Sequence, residues 1–206
     1  MVMKKIIWLV TGLAALAILL YALWGGTETD EDYIRNVEKH RAEKDHQFRT
    51  DPTSPVAGDS AFKGLNYFPV DPKYRIRARF IPSVQKHIIT LPTSDGKEKH
   101  YREYGHAEFK LHGKENRLLI LEIIDRGPYR GTLFLAFGDE TSAHETYGAG
   151  RYLDVKKEKG ASTILLDFNL AYNPYCAYND NYSCPLPPPE NLLTIPIRAG
   201  EMNYKK

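Results

Sequence analysis

The spacing of apolar positions changes character twice along the chain. From Ile6 to Trp24 no charged residue interrupts a Leu/Ala/Ile-rich run. As a helix that run reaches about 28 Å, close to the hydrocarbon thickness of a bilayer. From Asp30 to Arg49 there is no Gly or Pro, charge is dense, and Tyr33, Ile34, Val37 and Phe48 form a thin apolar stripe at helical spacing. This predicts an amphipathic surface helix. Thr29 or Asp30 caps its start, Glu31 and Asp32 suit the positive end of its dipole, and Asp51-Pro52 stops it.

Beyond Pro55 the period becomes two. Tyr74, Ile76, Ala78 and Phe80 alternate with Arg75, Arg77 and Arg79, giving a strand with one apolar and one cationic face. The arginine face either binds an anion or is solvated and paired with neighbouring carboxylates. Further strands are predicted over Val84 to Leu91, His100 to Tyr104, Ala107 to Leu111, Leu118 to Ile124, Thr132 to Phe137, Ile164 to Leu170 and Leu193 to Ile197. Turns fall at Ser94-Asp95-Gly96, His112 to Asn116 and Asp125 to Gly131. The run Leu118 to Ile124 is almost wholly apolar, as in a central strand buried on both faces.

The expected fold is therefore mainly β: a single antiparallel barrel or sandwich-like domain, preceded by an N-terminal transmembrane helix and an amphipathic surface helix. The segments are 1–26, a membrane anchor or signal sequence; 27–53, the charged helix; and 54–206, the β domain. Closure removes exposed sheet edges, which favours the barrel.

Charge fixes an orientation for the leader. Lys4 and Lys5 precede the apolar run, whereas Glu28, Asp30, Glu31 and Asp32 follow it, so the positive-inside rule leaves the body outside the cytoplasm. The expected location is a single-pass anchor in the lipid bilayer with the body extracytoplasmic. The alternative is a secreted or periplasmic body after signal cleavage, although Tyr21-Ala22-Leu23-Trp24 offers large residues where a peptidase prefers small ones. The chain carries 28 Lys and Arg against 26 Asp and Glu, and two of those lysines lie in the leader, so the body is neutral. A neutral body argues against nucleic acid as a partner. Two cysteines are too few for a cysteine-rich metal protein, and no motif calls for a metal or a cofactor.

Two segments do not read as scaffold. In the first, Phe137 to Asp154, Gly148 and Gly150 allow a sharp turn that places Arg151 beside its neighbours. Its planar guanidinium either holds a carboxylate or phosphate ligand or pairs with Asp139, Asp154 or Asp167. The second runs from Asp167 through Asn169, Tyr172, Asn173, Tyr175, Cys176, Tyr178, Tyr182, Cys184 and Pro185-Leu186-Pro187-Pro188-Pro189 to Asn191. Prolines lack an amide donor and cannot enter a sheet interior, so this segment is predicted to cross the domain as an irregular strap. Its asparagines either meet a ligand or replace missing backbone bonds. In an oxidising compartment Cys176 and Cys184 are expected to form a disulfide; free structural thiols, or a nucleophilic cysteine served by His106, His112 or His144, are the alternatives.

These segments, with Ser54-Pro55, Gly64-Leu65, Tyr67-Phe68-Pro69-Val70, Phe137, Asp139, Thr141, Thr146 to Asp154, Asp167-Phe168-Asn169, Asn173-Pro174, Cys176-Ala177, Cys184-Pro185, Asn191 and Ala199-Gly200-Glu201, resemble a prokaryotic family, the domain of unknown function numbered 1684. The resemblance spans about residues 30 to 203 and implies no established activity.

Taken together, the residues point to a body that binds a small molecule, sugar or peptide in a cleft between the Gly148–Asp154 turn and the Asn169–Asn191 strap. Arg151, Asp154, Asn169, Asn173, Tyr178 and Asn191 are the expected ligand-binding residues. The rival readings are a hydrolase-like enzyme in the same cleft, using Cys176 or an Asp154 and Asp167 pair, and a structural envelope protein without a site.

Overall fold

The structure is a computed structural model that describes Trp8 and residues 28–204. The expected anchor, 1–26, lies outside the described residues apart from Trp8; among the described residues no helix is long and apolar enough to cross a membrane. The chain divides into two compact units, Met1–Asn36 and Val37–Lys206.

Helix α1 spans Asp30–Thr50. In the first unit Thr29 is the cap: its Oγ1 accepts the Asp32 N–H at 3.1 Å, satisfying one of the amides that no helical carbonyl reaches. The helix ends immediately before Asp51-Pro52.

The second unit is mainly β. Its strands are β1 (Arg75–Pro82), β2 (Ile88–Pro92), β3 (Glu98–Leu111), β4 (Lys114–Ile123), β5 (Leu133–Phe137), β6 (Arg151–Val155) and β7 (Thr163–Asp167). They form one antiparallel sheet, curled into a half-barrel, in the order β6-β5-β4-β3-β1-β7, with β2 paired beside β3. The expected closed barrel is not reached, because β6 and β7 end the hydrogen-bonded path rather than joining each other. Instead Tyr172 exchanges backbone bonds with Tyr152 at 2.8 and 2.9 Å along the open side of β6. On the cationic face of β1, Arg79 lies opposite Glu108 and pairs with it across the strands.

Three local readings are corrected. The two strands expected on either side of residues 105–106 are one strand, β3, carrying a bulge between Glu103 and Gly105. A Cβ on Gly105 would lie 2.4 Å from the Ile81 carbonyl oxygen, so only glycine lets β1 and β3 close there. Arg151 begins a strand, β6, where a turn was expected, because the glycine turn finishes at Gly150. Leu193 to Ile197 is irregular although Leu193, Ile195 and Ile197 all point into the core. Pro196 has no amide to donate, so a ladder cannot form across it.

β4 is buried on both faces, as its composition requires. Leu118 and Ile120 enter the main core with Phe109, Phe137 and Phe168, whereas Leu119 and Leu121 enter a second cluster with Tyr101, Phe134 and Tyr152. The strap, 172–191, covers part of that second face: Ser94 and Leu186 amides bond to Cys184 and Pro92 carbonyls, and the Tyr152 hydroxyl donates to Pro185 at 2.6 Å. Asn191 anchors its far end. β4 and β5 pair only at Leu121–Phe134 and Glu122–Leu133, and where they diverge the Asn191 amide fills the gap. It accepts from Leu119 N–H at 2.7 Å and donates to the Leu119 and Ala136 carbonyls at 3.0 and 2.8 Å.

Replacing Asn191 by Ala leaves those three buried backbone groups without partners, each costing about 1–3 kcal/mol. The expected result is a melting temperature lowered by roughly 5–15 °C in a circular-dichroism melt. An unchanged melt would show that the strap does not depend on this amide.

Candidate functional site

The glycine turn serves a buried knot. Gly150 has φ +87°, and a Cβ there would lie 2.6 Å from both the Phe137 carbonyl oxygen and Pro187 Cγ. This close approach sets Arg151, 1 % exposed, beneath the C-terminal chain. Its Nη2 donates to Asp139 at 2.9 Å and to the Ile197 carbonyl at 2.8 Å; its Nη1 donates to the carbonyls of Ala199 and, at 3.1 Å, Glu201. Asp139 Oδ1 in turn accepts from Thr141 N–H at 2.8 Å, Thr141 Oγ1 at 2.6 Å and Ile197 N–H at 3.1 Å. Burial pulls the guanidinium below its ordinary pKa, and the Asp139 carboxylate opposes that shift. Of the partners open to Arg151, the structure selects Asp139.

The other expected site residues are placed as follows. Asn169 exchanges bonds with the Asp71 backbone, accepting at 3.0 Å and donating at 2.8 Å. Asp167 caps the turn that follows β7 through Asn169 N–H at 3.2 Å. Asn173 donates its backbone N–H to Glu201 Oε2 and its side-chain amide to the Met202 carbonyl, each at 2.8 Å. The Tyr178 hydroxyl donates to the same Glu201 oxygen, and Lys44 pairs with the other. Thus Arg151 and Glu201 hold the last described turn of chain from two sides. Asp154 alone of the six lines the open cleft described below, where it accepts the Tyr172 hydroxyl at 2.8 Å.

The expected disulfide is also corrected: Cys176 and Cys184 are free, buried thiols. They are adjacent, with Cys176 N–H directed at Cys184 Sγ at 3.3 Å. The Tyr147 hydroxyl reaches Cys176 Sγ at 3.7 Å. These donors satisfy the sulfurs without a bond between them. His106 contacts Glu190 and His112 contacts the Tyr74 hydroxyl, each through its ring, so neither imidazole serves a thiol. The Cys184 thiol, then burial working the other way, then Tyr147, set the acidity of Cys176, which is pulled down to about 6.

An open cleft of about 1090 Å³ lies over the outer face of β3 to β6. Its floor is Tyr101, Phe134 and Tyr152: Tyr101 stacks on Phe134 with ring centroids 5.5 Å apart, and Tyr152 meets Phe134 edge-on at 4.7 Å. Tyr172, Tyr175, Tyr182, Ser183, Cys184 and Pro185 of the strap form one wall, and His40, Glu43, Lys44 and Gln47 of α1 another. Tyr129, from the turn between β4 and β5, stands exposed at the mouth. Burial first, and nearby carboxylates or thiols after it, push Tyr101, Tyr152 and Tyr172 well above the ordinary phenol range, so they remain hydroxyl donors. The strap tyrosines were legible as wall material, except that Tyr178 turns inward. Tyr101 and Lys99 were missed, although their alternation in β3 already placed them on one face.

Comparison with known proteins gives a family but no activity. The family model described as "Protein of unknown function (DUF1684)" matches residues 60–202. The solution NMR structure of an uncharacterized protein from Haloarcula marismortui is 37% identical, covers 84% of this chain and 95% of its own, and superposes with a TM-score of 0.62. No curated protein matches.

Two outcomes follow for the buried groups. Arg151→Lys keeps the charge but not the fork that reaches Asp139 and three carbonyls, so it is expected to destabilise by about 3–5 kcal/mol, as breaking a buried pair does. A denaturant titration showing a loss below about 1 kcal/mol would refute this. For Cys176, the folded pKa of about 6 lies below its ordinary 9.0, so its ionisation stabilises the fold increasingly from pH 6 to 9 and that gain is lost as pH falls through 6. Thiolate absorbance at 240 nm should rise with a midpoint near pH 6 and vanish in Cys176→Ser; a midpoint near 9 contradicts the assignment.

Proposed function

The chain belongs to the DUF1684 family of proteins of unknown function, and for this member we propose that the β unit binds a small or extended ligand in the cleft over the outer face of its sheet. The observation that carries this reading is the set of exposed and half-exposed tyrosines, Tyr129, Tyr175 and Tyr182, that line an open cleft above the buried rings of Tyr101, Phe134 and Tyr152. Tyr129 and Tyr175 are exposed at the mouth and wall of the cleft, so a flat ligand face against them gains burial that the protein itself does not supply. Asp154, Ser183 and the tyrosine hydroxyls offer directional polar contacts at its edge. The site thus moves from the glycine turn to the strap's tyrosines and the outward face of β3 to β6, with Asp154 common to both readings.

We further propose that the leader anchors this body to a bilayer, supported by the uncharged run Ile6 to Trp24 and by Lys4 and Lys5 ahead of it.

A screen of metabolites, sugars and short peptides by thermal shift, followed by NMR of any hit, tests the cleft. A binder should move the resonances of Tyr101, Phe134, Tyr175 and Tyr182 together, and Tyr175→Ala should weaken it without lowering the melting temperature of the free protein, because Tyr175 is 42% exposed. Hits whose shifts cluster away from these residues would rule the cleft out.

A further inference from the structure

The charges around the cleft are unevenly balanced. Lys44 is neutralised by buried Glu201. Glu43 faces Lys39 at 3.9 Å, and Asp154 accepts the Tyr172 hydroxyl. Lys99, Lys156 and Lys157 also line the cleft, and among the described residues none of them has a carboxylate within ion-pair distance. Lys99 Nζ is held against the Ser183 carbonyl at 3.1 Å, on the strap side; Lys157 Nζ rests on the Glu158 and Ala161 carbonyls; Lys156 is exposed.

The topology places two of these ammoniums at opposite sides of one floor. Lys99 stands near the start of β3 and Lys156 just beyond the end of β6. Three antiparallel pairings separate the two strands, through β4 and β5, so the start of one and the end of the other lie at the same end of the sheet. Three strand spacings put them about 14 Å apart across its width. Tyr129, from the turn between β4 and β5, and Tyr175 of the strap line the same cleft.

Resting on the cleft reading above, we infer that the ligand is an organic anion with a flat ring: the ring packs against the exposed Tyr129 and Tyr175, and its carboxylate, sulfonate or phosphate meets Lys99 or Lys156. The lysines without carboxylate partners supply the charge complementarity, and the exposed tyrosines supply a surface that a neutral, flat skeleton shares but a compact inorganic anion does not use.

Two fluorescent probes with the same phenylnaphthylamine skeleton separate the two parts of this inference: 1-anilinonaphthalene-8-sulfonate, which carries the anion, and N-phenyl-1-naphthylamine, which does not. With the full chain, the sulfonate should bind more tightly than the neutral probe. The double variant Lys99→Met, Lys156→Met should raise the sulfonate's Kd about fivefold or more, the scale of two exposed charge contacts, and leave the neutral probe's Kd unchanged. Tyr175→Ala should weaken both. A salt titration repeats the charge test on the unaltered protein, since 0.5 M NaCl should weaken the sulfonate alone. If both probes bind equally and neither responds to the lysines or to salt, the anion inference is overturned while the cleft reading stands. If neither probe binds, both readings fall.

Discussion

A buried backbone amide or carbonyl must find a partner, and in this protein that requirement is met in several places by side chains rather than by strands. The half-barrel leaves β4 and β5 diverging and residues Ile197 to Ala199 outside its ladders. Asn191 supplies a peptide-like amide to the first gap, and Arg151 with Asp139 supplies four donors and acceptors to the second. Glu201 then ties the strap's Asn173 and Tyr178 to Lys44 of α1. Proline explains why side chains are needed: Pro185, Pro187, Pro188, Pro189 and Pro196 remove the donors a ladder would use.

That constraint also makes the cleft. A strap paired as a strand would lie flat on the sheet and cover it. Held instead by Tyr172 on β6, by Cys184 and Leu186 along residues 92–94 and by Asn191 between β4 and β5, it stands along one side of the outer face, with Tyr175 and Tyr182 in T-shaped contact. Buried charge stays in the knot below, where Arg151 meets Asp139 and Glu201 meets Lys44, and the lysines without carboxylate partners remain at the cleft. The dithiol sits between these two regions, with Cys176 turned towards Tyr147 and Cys184 at the cleft wall.

Much of this was legible in the sequence, for local reasons. The thin apolar stripe and the capping residues gave α1, period-two alternation gave β1 and the outer strands, and the continuous apolar run gave β4 its two buried faces. The strap was legible because proline's missing donor is a property of the residue itself. What could not be read was which of several chemically equivalent partners a side chain meets. Arg151 had three carboxylates to choose from, and only the fold sets Asp139 beside it. The asparagines carried both a ligand reading and a backbone-replacement reading, and the distances place Asn169 and Asn191 on backbone groups. Leu193 to Ile197 had the alternation of a strand without its pairing, since one proline outweighs the pattern. The disulfide was inferred from a compartment rather than from geometry, and the two thiols are free.

Backbone hydrogen exchange followed residue by residue tests most directly whether buried side chains hold the strap. The amides of Leu119, Asn173 and Ile197 donate to Asn191, Glu201 and Asp139 side chains and to no strand partner. If these side chains carry the architecture, the three amides exchange as slowly as those of the β3–β4 ladder, close to the global unfolding limit. Exchange at the rate of the exposed Asp125 to Gly131 turn, while β3 and β4 stay protected, would mean that the strap opens independently and that the cleft has no fixed wall.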